Sequence, residues 1–469
     1  LLRGERGDAV SAERFDAIVV GAGQAGPPLA GRLTAAGMKV ALAERQLVGG
    51  TCVNTGCMPT KALVASAYAA HLARRAGDYG IVVDAPVRVD FAKVKARADG
   101  IVNAARAGIE AGLAAMDRLT LVRGHACFEG PDVVRVGERL LRAPRIFLNV
   151  GGRALVPDLP GVGDVPFLTN SSMLALAELP DHLLIVGGSY VGLEFAQAWR
   201  RFGASVTVVE RAPRLVPRED EDISAAIRAF LEAEGIAIRT GAECIRLMMH
   251  EGAPALGLDC REGPPEIGGS HVLLAVGRLP NTGDLGLDKA GVATDARGYV
   301  AVDEGLATNV AGIWAMGECN GRGAFTHTAY NDFEILAANL LDGAGRKVSD
   351  RLTAYALYTD PPLGRVGMTE AQAREGGRRI LVGRRPMSRV ARAVEKGETA
   401  GLIKTIADAD TGALLGAAIL GTGGDEAIHG LIDTMHAGVT VETAKWAVPI
   451  HPTVSELIPT VLADMRPPS

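Results

Sequence analysis

Residues 49–61 read GGTCVNTGCMPTK and place Cys52 and Cys57 with four residues between them. The chain holds six cysteines, and Cys127, Cys244, Cys260 and Cys319 stand apart, as buried thiols would. A disulfide closing so small a loop adds only about 2 kcal/mol in the chain-entropy picture, which a chain of this length does not need. Redox chemistry or metal binding is the better question. A structural zinc site wants four ligands, and no second Cys/His pair at metal spacing accompanies this one, so no resident metal is expected. The spacing is not the C-x-x-C of a thioredoxin-like motif either. Two inert structural cysteines are the plain alternative, and the surrounding glycines and polar residues weigh against it. Pro59 suits the first turn of a helix, and ALVASAYAAHLARRA after Lys61 is strongly helix-forming. Cys57 is therefore expected at or just before a helix N-terminus, where the dipole favours thiolate. Cys52 is expected on the Gly-rich approach. Lys61 lies one turn beyond Cys57 and can share its face.

A second candidate is PIHPTVSE, 449–456. A His-Pro is often only a turn, but histidine as a side-chain type changes charge near neutral pH, which makes His451 a candidate. Glu456, five residues on, can hold one ring nitrogen and raise the basicity of the other, the arrangement of a proton relay.

Such groups need elements to position them. FDAIVVGAGQAGPPLAGRLTAAGMKVALAER, from Phe15, reads as strand Ala17–Val20, a Gly turn, a helix, and strand Val40–Ala43 ending at Glu44. Gly21, Gly23 and Gly26 form G-x-G-x-x-G. They give the tight turn, the close approach of backbone to a pyrophosphate, and the close packing of helix on strand. Glu44 stands 18 residues past Gly26, where an acid holds ribose hydroxyls. The pattern recurs from His182: strand Leu183–Val186, a turn at Gly187-Gly188-Ser189, Gly192, a helix, and strand Ser205–Val209 before Glu210. Ser189 replaces the middle glycine, so this copy is the weaker. Two such units imply two nucleotides, or one and a degenerate copy. Val89–Ala115 reads as an amphipathic helix. Segments 146–161 and 271–283 read as apolar strands that break at Gly and Pro. Segment 310–335 reads as a strand, a Gly-rich loop and a helix start. From about 350 the texture changes to an α+β pattern with strands at Leu402–Ile406 and Leu414–Leu420.

The 469 residues allow two to four domains, and 48% hydrophobic with 22% charged residues is a globular balance. A net charge of −5 calls for no nucleic acid. No stretch approaches the apolar length of a membrane span. The opening LLRGERGDAVSAER reads as a flexible leader rather than a targeting segment, and a cytoplasmic protein is expected.

GGTCVNTGCMPTK resembles the active-site stretch of the FAD-dependent pyridine nucleotide-disulfide oxidoreductases, which include glutathione reductase, dihydrolipoyl dehydrogenase and mercuric reductase. The resemblance runs from Phe15 to about Leu462. It implies an α/β chain with two Rossmann-like dinucleotide-binding domains plus a C-terminal α+β dimerisation domain. Residues 1–150 and 276–347 would form the FAD-binding domain, 151–275 the NAD(P)-binding domain, and 348–469 the dimerisation domain. By this resemblance Cys57 lies next to the flavin and Cys52 meets substrate. Lys61 lies near the flavin and pairs with Glu194, and Tyr190, beside Val191, matches a position that gates the nicotinamide pocket. Gly50, Thr51, Ala126, Gly151 and Gly277 fall at further cofactor contacts. Gly317-Glu318 matches a Gly-Asp that touches the ribityl chain, here one methylene longer, and Ala329 of THTA (326–329) matches a helix start beside the flavin. His451 and Glu456 resemble a dyad that serves the other subunit of a homodimer. The implied cofactors are FAD and NADH or NADPH; Glu210 favours NADH, although Arg211 and Arg214 stand near enough to meet a 2′-phosphate. The implied partner is a small-molecule disulfide or dithiol, or a thiol-bound metal ion.

Three functions stay in play. The first is an NAD(P)H:disulfide oxidoreductase. The second is a mercuric reductase-like enzyme; TCVNTGCMPTK is similar to that group's wording, but the dyad is not, and no cysteine follows Cys319. The third is a non-catalytic flavin redox sensor, which would have no use for Lys61, Glu194, His451 and Glu456 beside both cysteines. Pro449, two residues before His451, departs from many dihydrolipoyl dehydrogenases, which carry His there.

Overall fold

The computed structural model describes residues 12–258 and 264–468. The chain divides into two compact units. One comprises Leu1–Pro59, Asp99–Arg153 and Arg278–Arg351; the other comprises Thr60–Ala98, Ala154–Gly277 and Leu352–Ser469.

The first unit is built on a five-stranded parallel sheet in the order Ile313–Ala315, Ile146–Leu148, Ala17–Val20, Val40–Glu44, Leu119–Arg123. Ala17–Val20 is central and apolar at every position because both of its faces are covered. Ala17 and Val19 pack with Leu29 and Leu33 of helix Gly26–Ala35 and with Phe333 and Leu336 of helix Thr326–Leu341. Ile18 and Val20 pack with Phe128, Val134 and Leu141 of a second, four-stranded sheet. Glu13 and Arg14, expected in a flexible leader, lie in a strand instead. Glu13–Arg14 pair in parallel with Leu141–Arg142, and Arg139 grips the Glu13 carboxylate with two bonds of 2.8 Å. The rest of that leader, 1–11, lies outside the described residues.

The second unit carries a parallel sheet in the order Ala237–Arg239, Ser205–Val209, His182–Val186, His271–Leu274. Helix Tyr190–Phe202 packs on it, and Trp199 takes edge-to-face contacts from Phe91, Phe195 and Phe202. The unit also holds a five-stranded antiparallel sheet, Ala354–Leu357, Leu363–Gly367, Leu414–Leu420, Leu402–Asp408, Ile380–Pro386. Its core includes Val366, Ile403, Ile419, Leu431 and Val461.

The chain is thus a mixed α/β protein with two parallel nucleotide-type sheets and a C-terminal α+β region. The long amphipathic helix runs Phe91–Ala114, inside its expected bounds. Segment 146–161 holds two short strands, Ile146–Leu148 and Gly152–Ala154, because Gly151 turns the chain between them at φ +62°. Among the described residues no helix is long and apolar enough to cross a membrane.

Candidate active site

The first turn of the chain's opening βαβ unit is shaped by its own backbone. A Cβ on Gly21, at φ +106°, would lie 2.3 Å from the Asn149 carbonyl oxygen, and one on Gly26 would lie 2.2 Å from the Gly21 oxygen. Neither position admits a side chain. Gly23 differs, since its nearest neighbour would be the Asn149 amide nitrogen at 3.3 Å. A Cβ on Gly23 would be tight against that one side chain but not against backbone, so the protein itself does not demand glycine there, which fits a turn kept bare for a bound pyrophosphate. Glu44 braces this turn: Oε2 accepts from the Ala22 amide and Oε1 from the Gln46 amide, both at 2.8 Å.

The second copy repeats the device. A Cβ on Gly187, at φ +115°, would lie 2.4 Å from the Ala275 oxygen, and one on Gly192 would lie 2.1 Å from the Gly187 oxygen. Glu210 accepts from the Gly188 amide at 2.6 Å and the Ala212 amide at 2.7 Å. Ser189, in place of the middle glycine, is the extended residue that precedes helix Tyr190–Phe202. Val191, in the first turn, is exposed, and Gly277 turns the chain at φ +143° after strand His271–Leu274. Arg214 points at its own loop, donating to the Pro217 and Glu219 oxygens at 3.2 Å each, while Arg211 is exposed.

Cys57 is the first residue of helix Cys57–Arg74, with Pro59 in its first turn. Cys52 lies on the Gly-rich approach, and that approach is itself helical. It lies within a short helix, Gly50–Thr55, that includes Thr51 and ends at Gly56. That helix forms because Asn54 Nδ2 donates at 2.9 Å to both the Val48 and Gly50 oxygens. In turn Arg106 Nη1 lies 3.3 Å from Asn54 Oδ1. A Cβ on Gly50 would lie 2.8 Å from Gly23 Cα, so the cysteine segment packs directly on the nucleotide turn. Cys52 is half-buried, Cys57 is exposed, and the two lie close together. Cys57 Sγ sits 3.3 Å from Oγ1 of Thr326, the first residue of helix Thr326–Leu341. Thr326 is a contact that no spacing in the sequence announced.

Ala329 is in the first turn of that helix, and its Cβ lies 3.3 Å from where Gly317 would place one. Asp332, one turn on, accepts from the Gly317 amide at 2.8 Å and from Asn320 at 2.9 Å. Both Glu318 oxygens accept from Arg278, at 2.6 and 3.0 Å, and Arg278 also reaches the Gly152 oxygen at 2.7 Å. Ala126 opens a strand of the four-stranded sheet and is buried.

Lys61 Nζ lies 2.7 Å from Glu194 Oε2, whose side chain is only 6% exposed. Glu194 Oε1 accepts from the Tyr358 amide at 3.0 Å, and the Lys61 ammonium sits 4.5 Å over the Tyr358 ring. This cation–π contact was not legible in the sequence. His451 Nδ1 lies 2.8 Å from Glu456 Oε2; the imidazole is 75% exposed and the carboxylate 9%.

The isolated cysteines differ from the expectation of four buried thiols. Cys319 is buried, and burial pushes its thiol up to about 12, which keeps it protonated. Cys127 is half-buried and Cys244 is exposed, on the turn before strand Arg246–His250, where no core element covers it. Cys260 lies outside the described residues.

Comparison with known proteins agrees with this geometry. The family described as pyridine nucleotide-disulphide oxidoreductase matches residues 15–332, and its dimerisation domain matches residues 353–462. The probable pyridine nucleotide-disulfide oxidoreductase RclA of Escherichia coli K12 is 35% identical over 451 residues, spanning 94% of this chain and 97% of that protein. A mercuric reductase of Streptomyces lividans is 35% identical over 91% of both chains. A dihydrolipoyl dehydrogenase of Thermus scotoductus is 34% identical over 94% of this chain and 95% of its own. The solved structure of the HOCl-induced flavoprotein disulfide reductase RclA superposes with a TM-score of 0.87 at 34% identity, covering 96% of this chain and 100% of that one. The chain therefore belongs to the pyridine nucleotide-disulphide oxidoreductase family and is an FAD- and NAD(P)H-dependent flavoprotein disulfide oxidoreductase.

Proposed function

We propose that the chain reduces a small-molecule disulfide at the expense of NADH, NADH + H⁺ + RSSR → NAD⁺ + 2 RSH, in a cytoplasmic homodimer whose active sites each draw on both copies. The Cys52 thiolate attacks one substrate sulfur and releases the other as a thiol. Cys57 then attacks Cys52 in the mixed disulfide, releases the second thiol and leaves Cys52 bonded to Cys57. His451 supplies protons to the leaving thiolates, and Glu456 fixes its tautomer. FAD, which the Gly21–Gly26 turn and Gly50 would hold, would supply the two-electron chemistry that returns the pair to dithiol. Lys61, held by Glu194, provides a fixed positive charge. Glu210 is pinned where a 2′-phosphate would meet a carboxylate, and Arg214 is engaged by carbonyls; both support NADH. The proposed division remains 1–150 with 276–347 for FAD, 151–275 for the nicotinamide nucleotide, and 348–469 for dimerisation.

One observation carries the shared site. His451 is mostly exposed yet oriented by a nearly buried carboxylate, on a loop that bares Trp446, Val448 and Ile450 at 78%, 96% and 79%. Apolar side chains around an oriented imidazole fit a face that a second copy covers. Reduction of a thiol-bound metal ion at the same cysteines is the second reading. The mercuric reductases among the relatives, and the solved structure described as a Cu(II) complex of RclA, favour it.

Subunit mixing tests the proposal. Cys57→Ser and His451→Ala homodimers should each be inactive. Their heterodimers keep one site with both groups intact, so unfolding and refolding an equimolar mixture should restore about a quarter of wild-type turnover. No recovery, with mixed dimers shown by mass, would refute the shared site. Assay with lipoamide, glutathione disulfide, Hg(II) and Cu(II) separates the two substrate readings.

A further inference from the structure

Tyr190, the first residue of helix Tyr190–Phe202, leads into the most deeply buried charges of the second unit. Its ring meets Tyr355 edge to face, 5.5 Å between centroids at 83°. Tyr355 donates to Glu219 Oε1 at 2.8 Å, and Glu219 Oε2 accepts from Arg365 Nε at 3.0 Å. Arg365 is 0% exposed and Glu219 1%. Tyr355 and Arg365 are cross-strand partners in the antiparallel sheet, so strand register aims both at one carboxylate. Burial, then Glu219, pushes the Tyr355 phenol up to about 12, which keeps it a donor at neutral pH. Burial, then Tyr355 and Glu219, raises the Tyr190 phenol as well.

The far end of this chain of contacts is anchored. Arg365 Nη2 lies 3.6 Å from Asp220, and Lys404 Nζ lies 3.1 Å from Asp220, 2.9 Å from Asp222 and 3.0 Å from Glu370. Asp220 precedes helix Glu221–Ala233 of the nucleotide fold, whereas Arg365 and Lys404 belong to the antiparallel sheet. A buried ion pair gains little over apolar packing of equal volume, so stability alone is a poor reason for it. What it does supply is direction: each group has one geometry that satisfies the next.

We propose that Tyr355, Glu219 and Arg365 are positioning residues that hold the Tyr190 ring in the orientation that admits the nicotinamide. The inference rests on reading Tyr190 as the nicotinamide gate. A side chain released from this restraint divides its time between orientations, and apparent affinity falls in proportion to the competent fraction.

Anaerobic stopped-flow reduction of the flavin-loaded enzyme by NADH tests it. Tyr355→Phe keeps the ring and removes only the hydroxyl. It should raise the apparent Kd for NADH about three- to tenfold. The limiting rate of flavin reduction should stay within about twofold, because chemistry in the competent orientation is untouched. Calorimetric titration of the oxidised holoenzyme with NAD⁺ should show the same ratio. Glu219→Gln should behave alike; if burial of Arg365 without its carboxylate prevents folding, Tyr355→Phe decides alone. Tyr190→Ala removes the gate, and in that background Tyr355→Phe should have no further effect on Kd. Wild-type affinity in Tyr355→Phe, or an effect that adds fully to that of Tyr190→Ala, overturns the proposal. Tyr190→Ala alone should bind NADH within about twofold of wild type, since no ring is left to close the pocket, and a tenfold or greater loss there instead overturns the gate reading itself.

Discussion

At the scale of single residues, the two cysteines are chemically unequal. Cys57 is exposed at the start of an 18-residue helix and within 3.3 Å of Thr326; Cys52 is half-buried in the six-residue helix before it. The helix N-terminus favours a thiolate on Cys57, the sulfur proposed to lie against the flavin. Cys52→Ser should leave that thiolate in place, and the purified holoenzyme should carry a long-wavelength absorption band even before reduction. Cys57→Ser should show no such band in any redox state. Turnover should fall at least about 10³-fold in both, as when a nucleophile is removed. Identical spectra for the two variants would contradict the assignment. The cysteines, Lys61 and the His451/Glu456 spacing were legible because each sits in a short run whose residue types mean something together. Thr326 and Tyr358 were not, because each reaches its partner across 269 and 297 residues of chain.

Elements show the same division. Both Gly-turn units, with their strands and following helices, were legible from apolar runs, glycine spacing and a terminal acid. The structure adds which glycines the protein's own packing requires. Gly26→Ala would drive a methyl to 2.2 Å from a backbone carbonyl. It should destabilise the protein by about 1–3 kcal/mol. Gly23→Ala meets no protein atom closer than 3.3 Å. The melting temperature of deflavinated Gly23→Ala should stay within about 2 °C of wild type, while its FAD affinity falls about tenfold or more. Thermal melts of the apoprotein and fluorescence titration with FAD check both. Helix Gly50–Thr55 was not legible, since Gly, Thr, Cys, Val and Asn are poor helix formers. Its backbone is held by Asn54 and by close approach to Gly23, which local propensity does not report.

Over the whole molecule, the buried charges around Lys404 should govern acid stability. Burial alone would raise the Asp220 carboxyl, but Lys404, the Glu370 amide and Arg365 more than offset it and hold it below 3.8. Glu370, partly buried, is likewise held below 4.5 by Lys404 and Arg374. A carboxyl lowered in the folded state adds stability that is complete above its unfolded value. That stability is lost as pH falls through the folded value. The wild-type protein should therefore weaken as pH drops below about 4. Lys404→Met should cost about 3–5 kcal/mol at pH 7, by leaving carboxylates without their cation. Its deficit should narrow at acid pH, where those carboxylates protonate. Urea midpoints at both pH values check this, and an equal deficit at each would argue that Lys404 acts through packing alone.

Strand and helix order, the two Gly turns, the neighbouring cysteines and the His451–Glu456 pair were all written in residues close together in the chain. Periodicity, glycine spacing and motif chemistry act over roughly thirty residues or fewer. Tertiary structure decided what those motifs touch: Thr326 at the thiol, Tyr358 over Lys61, Arg278 on Glu318, and Glu219 between Tyr355 and Arg365. Each joins residues from distant segments, and only packing of one sheet or helix on another sets such distances. Spacing along a chain specifies direction and period within an element, but it does not specify which side chain of another element arrives opposite.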